Sequence, residues 1–103
     1  MLLYFYHYEF KKGEMEEKTV EVIETPKTYK SAAAGALPWL YLSRMNKSDL
    51  HTISGGLYCL TYVSDVQNEE TARTKFADYC RTKYQHAAEE AERWESRAKN
   101  IQK

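Results

Sequence analysis

A chain of 103 residues has room for one domain with one modest core. Its 15 Lys and Arg offset 15 Asp and Glu, which argues against bulk nucleic-acid binding through phosphate neutralisation and against a strongly acidic mimic of DNA. Two cysteines, Cys59 and Cys80, are too few for a disulfide scaffold and read as reduced thiols in a cytosol; no stretch approaches the roughly 20 apolar residues that span a bilayer.

LLYFYHYEF, residues 2–10, carries Tyr4, Phe5, Tyr6, Tyr8 and Phe10. Rings at this density suit a pleated strand. Leu2, Tyr4, Tyr6, Tyr8 and Phe10 would share one side, and Leu3, Phe5, His7 and Glu9 the other. His7 and Glu9 interrupt the run, which lacks a basic leader and a small-residue cleavage site, so it does not read as a signal peptide. KKGEMEE (11–17) reads as a turn, with Gly13 free to take a positive φ. KTVEVIET (18–25) alternates, with Val20 and Val22 on one face and Thr19, Glu21 and Ile23 on the other. Together residues 2–25 read as a β-hairpin.

Pro26 ends or kinks that strand, because it lacks an N–H and forces Thr25 to be extended. KTYKS is expected to resume as a short strand. In SAAAGALPWLYL (31–42), Gly35 and Pro38 limit any helix to a short turn, and Trp39, Leu40, Tyr41 and Leu42 read as buried anchors or a strand. NKSDLHTI (46–53) offers Asn46 or Ser48 as a cap for a single turn, and Gly55-Gly56 is a break. LYCLTYV (57–63) reads as a strand with Leu57, Cys59, Thr61 and Val63 opposite Tyr58, Leu60 and Tyr62.

From Ser64 the period becomes helical. Ser64-x-x-Gln67 is a capping-box pattern and Asn68 a second candidate cap. Glu69 and Glu70 suit the positive end of the macrodipole, and Glu69–Arg73, Glu89–Arg93 and Glu95–Lys99 are i,i+4 pairs in the favourable order. Apolar positions run Ala72, Phe76, Cys80, Tyr84, Ala87, Ala91, Trp94, Ala98 and Ile101. From Cys80 onward they form a heptad seam. A helix of some 33 residues would be roughly 50 Å long, whereas a domain of this size has a radius of gyration of about 13 Å. Its second half is therefore expected to project. The fold class is α+β: an antiparallel sheet of three to five strands with one long C-terminal helix across one face, the whole chain forming a single domain.

The sequence shows no Gly-rich phosphate loop, no zinc-type cysteine spacing and no internal repeat. His7, His51, His86, Cys59 and Cys80 lack ligand spacing, so no metal, cofactor or catalytic residue is assigned and an enzyme is disfavoured. Most of the rings in the first strand are expected in the core beneath the helix. Should both sheet faces carry rings, one would be partly exposed. Beside Lys27, Lys30, Arg44 and Lys47 such a face would suit stacked bases or a protein interface. The candidate partner-binding residues are Tyr4, Tyr6 and Tyr8 of the strand, those four basic residues, and Tyr84 and Trp94 of the helix.

The order of an aromatic strand, VEVIETPKTYKS, SRMNKSDL, a tyrosine strand and a helix resembles small uncharacterised proteins encoded by phages and mobile elements of Gram-positive bacteria. Glu24–Tyr29 and Lys47–Leu50 carry the likeness, which spans roughly two-thirds of the chain; the alanine-rich insert at 31–36 and the long helical tail depart from it. The resemblance implies a bacterial cytoplasm and an inhibitor of host defence, including anti-CRISPR proteins. Three functions follow as expectations. The first is a non-enzymatic protein that blocks a CRISPR effector or another defence nuclease by surface occlusion, its acidic hairpin (Glu14, Glu16, Glu17, Glu21) able to meet arginines. The second is a small RNA- or DNA-binding module that uses the aromatic sheet and residues 27–47. The third is a self-associating protein that dimerises through 80–101.

Overall fold

A computed structural model describes residues 1–33, 35–40, 42–56 and 58–102. The readings that include Ala34, Tyr41 and Leu57 fall partly outside these. Among the described residues six strands, β1 (Leu2–Glu9), β2 (Glu14–Glu24), β3 (Thr28–Ser31), β4 (Arg44–Asn46), β5 (Ile53–Gly55) and β6 (Cys59–Ser64), precede one α-helix, α1 (Glu69–Gln102), with a single 3-10 turn at Lys47–Asp49. They form one sheet in the order β4-β3-β2-β1-β6-β5, with every neighbouring pair antiparallel. The fold is the expected α+β class. The sheet has one strand more than the sequence allows for, because β4 and β5 are only three residues long, too short to leave an alternation.

The hairpin turn is tighter than KKGEMEE implies. β2 already begins at Glu14, where Glu14, Met15 and Glu16 pair with Glu9, Tyr8 and His7. Gly13 makes this possible with φ 66°, and its N–H donates to the Glu9 carbonyl at 2.8 Å. Pro26 follows the end of β2, and the chain returns as β3 after a turn clasped by the Thr25 and Thr28 hydroxyls, 2.6 Å apart.

β1 is central and is covered on both faces along most of its length, with Leu2 at its start exposed. On one side Leu3 and Phe5 join Val22, Tyr29, Met45 and Val63, and Leu37 from the segment between β3 and β4 is buried with them. On the other side Tyr6 joins Leu60 and Tyr62 beneath Ala72 and Phe76 of α1, with Tyr4, Tyr8 and Met15 half-buried around them. The helix therefore covers the face that carries Tyr4, Tyr6 and Tyr8, as the alternation predicts. The opposite face is also covered, which corrects the expectation of a partly exposed ring-bearing face. Trp39 and Leu40 lie over it, and the ring of Trp39 stacks on His7 at 4.7 Å and 7° with Lys18 Nζ 4.8 Å from its centroid.

The helix starts at Asn68, the second of the two candidate caps. Asn68 Oδ1 accepts from the Thr71 N–H at 3.0 Å, satisfying one of the orphan donors of the first turn. Ser64 instead accepts the Val66 N–H at 3.1 Å. The start of α1 is tied to the sheet by side chains: the Asn68 N–H donates to Tyr6 Oη at 2.9 Å, Tyr6 donates to Glu17 at 3.2 Å, and Gln67 Nε2 donates to the same carboxylate at 3.0 Å. Beyond Phe76 only Ala77 and Tyr79 are even half-buried, and from Cys80 to Gln102 every residue is exposed. The molecule is accordingly elongated, 64 × 28 × 20 Å, with a radius of gyration of 18.1 Å.

Candidate functional site

The distal half of α1 carries the largest exposed apolar side chains outside the loops and sheet edges. Tyr84, Trp94 and Ile101 are 78, 61 and 84 % exposed, and their spacing with Ala87, Ala91 and Ala98 puts them along one stripe of a helix. This stripe continues the one that Ala72 and Phe76 bury against the sheet, so the same sequence pattern is covered in one half and open in the other. The geometric reason is length: 34 helical residues rise about 51 Å, far beyond the reach of a six-residue β6. Arg97 lies over the Trp94 ring at 4.9 Å, a contact within the helix itself. Where α1 leaves the sheet, Tyr8, Phe10, Leu60, Phe76, Ala77 and Cys80 line an apolar pocket of about 310 Å3, with Arg73 at its rim.

The three strand tyrosines occupy a different environment from the two helix aromatics. Tyr6 is fully buried, so it belongs to the core and not to a contact surface. Burial pushes its hydroxyl above the ordinary tyrosine value, with Glu17 adding to the shift and the Asn68 N–H opposing it. Tyr4 and Tyr8 are half-buried against the helix-covered cluster. The rings of β1 thus form no open platform for stacked bases. Among the described residues of the head the most exposed ring is Tyr58, at 81 %, which precedes β6 where the sequence reading places it inside the strand.

The four basic candidates separate into two groups. Lys30 and Arg44 are directly paired across β3 and β4, next to Ile23 of β2, and all three are exposed; Lys27 lies in the exposed turn before β3. Lys47 is committed to the fold. It donates to Glu24 at 2.6 Å and lies 5.5 Å from the Tyr29 ring centroid, and this hydrogen bond and charge hold the Glu24 carboxyl below its ordinary value. The acidic residues of the hairpin, Glu14, Glu16, Glu17 and Glu21, are all exposed.

One cluster is invisible in the sequence. His51, in the left-handed region with φ 66°, places Nε2 3.2 Å from Asp65 and Nδ1 3.3 Å from Tyr62 Oη and 3.5 Å from Ser64 Oγ. Only the register of β5 on β6 brings these groups together. The Ser64 hydroxyl is buried and already accepts the Val66 N–H, so it is not presented to a substrate. The cluster fastens the loop before β5 to the approach of α1. Among the described residues no group of His, Cys, Asp and Glu could hold a metal ion, and no helix is long and apolar enough to cross a membrane.

Comparison with protein-family models, with curated proteins and with solved structures finds no match to this chain.

Proposed function

We propose that this chain is a non-enzymatic protein-binding protein that acts by occupying a partner's surface. The observation that carries the reading is the exposed stripe of Tyr84, Trp94 and Ile101 on a helix held clear of the folded head. Tyr and Trp are enriched among the side chains that anchor protein interfaces, and an isolated amphipathic helix is marginal in water without a cover for its apolar face. The exposed row of Ile23, Lys30 and Arg44 on the head offers a second contact, suited to an acidic surface. In line with the resemblance to phage and mobile-element proteins, the class of target is a host defence nuclease complex of the CRISPR type, silenced by occlusion.

Capture from bacterial lysate tests the proposal. Tagged wild-type protein is compared with Trp94→Glu/Ile101→Glu and with Lys30→Glu/Arg44→Glu, each with and without nuclease treatment. Retention of a protein partner through nuclease treatment, lost in at least one variant, is the expected result. Capture that vanishes with nuclease would replace this reading with a nucleic-acid module, whose contact would fall to residues 27–47 because the sheet rings are covered. Capture indifferent to both variants would refute the assignment of these surfaces.

A further inference from the structure

We infer that the occupant of the distal stripe is a second copy of this chain, paired antiparallel over Tyr84–Ile101. The inference rests on the reading of distal α1 as a protein-binding element and names what covers it; contact with the host target then falls to the head, through the exposed row of Ile23, Lys30 and Arg44. In the heptad frame Tyr84, Ala91 and Ala98 take the a positions, and Ala87, Trp94 and Ile101 the d positions. All of them are exposed. The flanking e and g positions, which select orientation in paired helices, include Glu95 at e and Glu90 and Arg97 at g.

A parallel, in-register pair is frustrated on both counts. There each g position faces the e position of the next heptad on the other helix, so Glu90 meets Glu95 of the second copy, twice by symmetry. The core layers would set Trp94 on Trp94 and Ala91 on Ala91, overfull in one layer and empty in the next. Antiparallel pairing about an axis between Glu92 and Arg93 removes both faults. Its layers are Ala91 with Trp94, Ala87 with Ala98, and Tyr84 with Ile101, each occurring twice. The indole then lies over the smallest side chain of the stripe. In this orientation g faces g, so Glu90 meets Arg97 of the second copy, again twice, while Glu95 faces Ala88.

The overlap also fits the open length of the helix. It begins four residues past Cys80, where the exposed run starts, so neither head obstructs the other helix. The two heads stand at opposite ends of the paired helices, with the Cys80 positions about 38 Å apart at 1.5 Å per residue. The rows of Ile23, Lys30 and Arg44 stay uncovered, leaving a bivalent particle.

Sedimentation equilibrium of the full chain over a concentration series tests the inference. A monomer–dimer equilibrium is expected, weakened about a thousandfold by Trp94→Glu because two buried anchors are lost per dimer. Glu90→Arg separates the orientations by sign. It weakens an antiparallel dimer about tenfold and strengthens a parallel one by relieving the Glu90–Glu95 contact. Adding Arg97→Glu to Glu90→Arg restores the antiparallel dimer. In a Cys59→Ser/Cys80→Ser background, chains with Ala87→Cys form a disulfide with chains carrying Ala98→Cys but not with themselves. A chain that stays monomeric at every concentration overturns the inference, yet leaves the proposed function standing if lysate capture is still lost in Trp94→Glu/Ile101→Glu. A dimer that tightens on Glu90→Arg, or that cross-links Ala87→Cys to itself, overturns the antiparallel assignment.

Discussion

Replacing Phe76 and, separately, Trp94 with alanine measures how sharply α1 divides into a buried and an open half. Phe76 is 5 % exposed, with its ring 6.3 Å from that of Tyr8 and 6.4 Å from that of Tyr62 at 81°. Truncating a buried Phe costs about 3–5 kcal/mol. The adjoining pocket already leaves part of the ring without close neighbours, which favours the lower end, and alanine recovers about 0.5 kcal/mol of helix propensity. The expected net loss is about 2.5–3 kcal/mol, or roughly 10–20 °C in Tm for a domain of this size. Trp94 is 61 % exposed and meets only its own helix and solvent. Its replacement is expected to stay within about 0.5 kcal/mol in the monomer. Urea unfolding followed by circular dichroism at low protein concentration reads both values. A Trp94→Ala loss above about 1.5 kcal/mol under those conditions would place the indole in the intramolecular core and refute the division. A loss that appears only as concentration rises would instead report association, because a dimer stabilises its folded protomers by mass action.

Other expectations follow from single contacts. Tyr6→Phe keeps the ring but strips the acceptor from the Asn68 N–H and is expected to cost about 1–2 kcal/mol in the same unfolding assay; a neutral result would mean that water replaces the hydroxyl at no cost. Gly55 has φ 153°, and a Cβ there would meet the Cys59 carbonyl and lie 2.9 Å from Leu60 Cα, so Gly55→Ala is expected to lose more than about 2 kcal/mol through backbone strain and collision; an alanine variant of wild-type Tm would contradict that geometry. Burial holds the His7 ring below its ordinary value, against the pull of Glu16 and Glu9. The unfolded chain therefore takes up this proton first as pH falls below about 6.5, and stability drops until the folded ring also protonates. His7→Gln should flatten that part of the Tm–pH curve, and an unchanged slope would assign the acid sensitivity to other groups.

The sequence exposes what repeats and hides what depends on long-range register. The alternation in residues 2–25 predicts which side of β1 meets the helix, and the heptad run after Cys80 together with simple length predicts that the helix outruns the sheet. The basic residues read as one loop cluster because they are near in sequence, but pairing of β2, β3 and β4 sets Lys30 and Arg44 side by side while Glu24 takes Lys47. Leu37 carries no periodic signal, and Trp39, although read as a buried anchor, gives no local sign of which face it covers, so the closing of the second face of β1 is not announced. The cluster of His51 with Tyr62, Ser64 and Asp65 is likewise a product of β5 on β6. Of the candidate partner-binding residues, Tyr84 and Trp94 were legible because exposure follows from helix length. Tyr6 was not, since an aromatic strand alone does not state how completely its rings are covered.

The position of β1 between two hydrophobic clusters bears on synthesis of the chain. β1 emerges before the other strands and can pair with β2 at once, but its other neighbour, β6, begins 50 residues after Glu9. At about 5–20 residues per second, that interval lasts roughly 3–10 s. Throughout it a nascent hairpin displays Leu3 and Phe5 on one side and Tyr4, Tyr6 and Tyr8 on the other, with neither cluster closed. On the helix side the exposure outlasts that interval, because Phe76 lies a further 17 residues on from Cys59, and it marks the window in which a chaperone would shield the ribosome-bound chain.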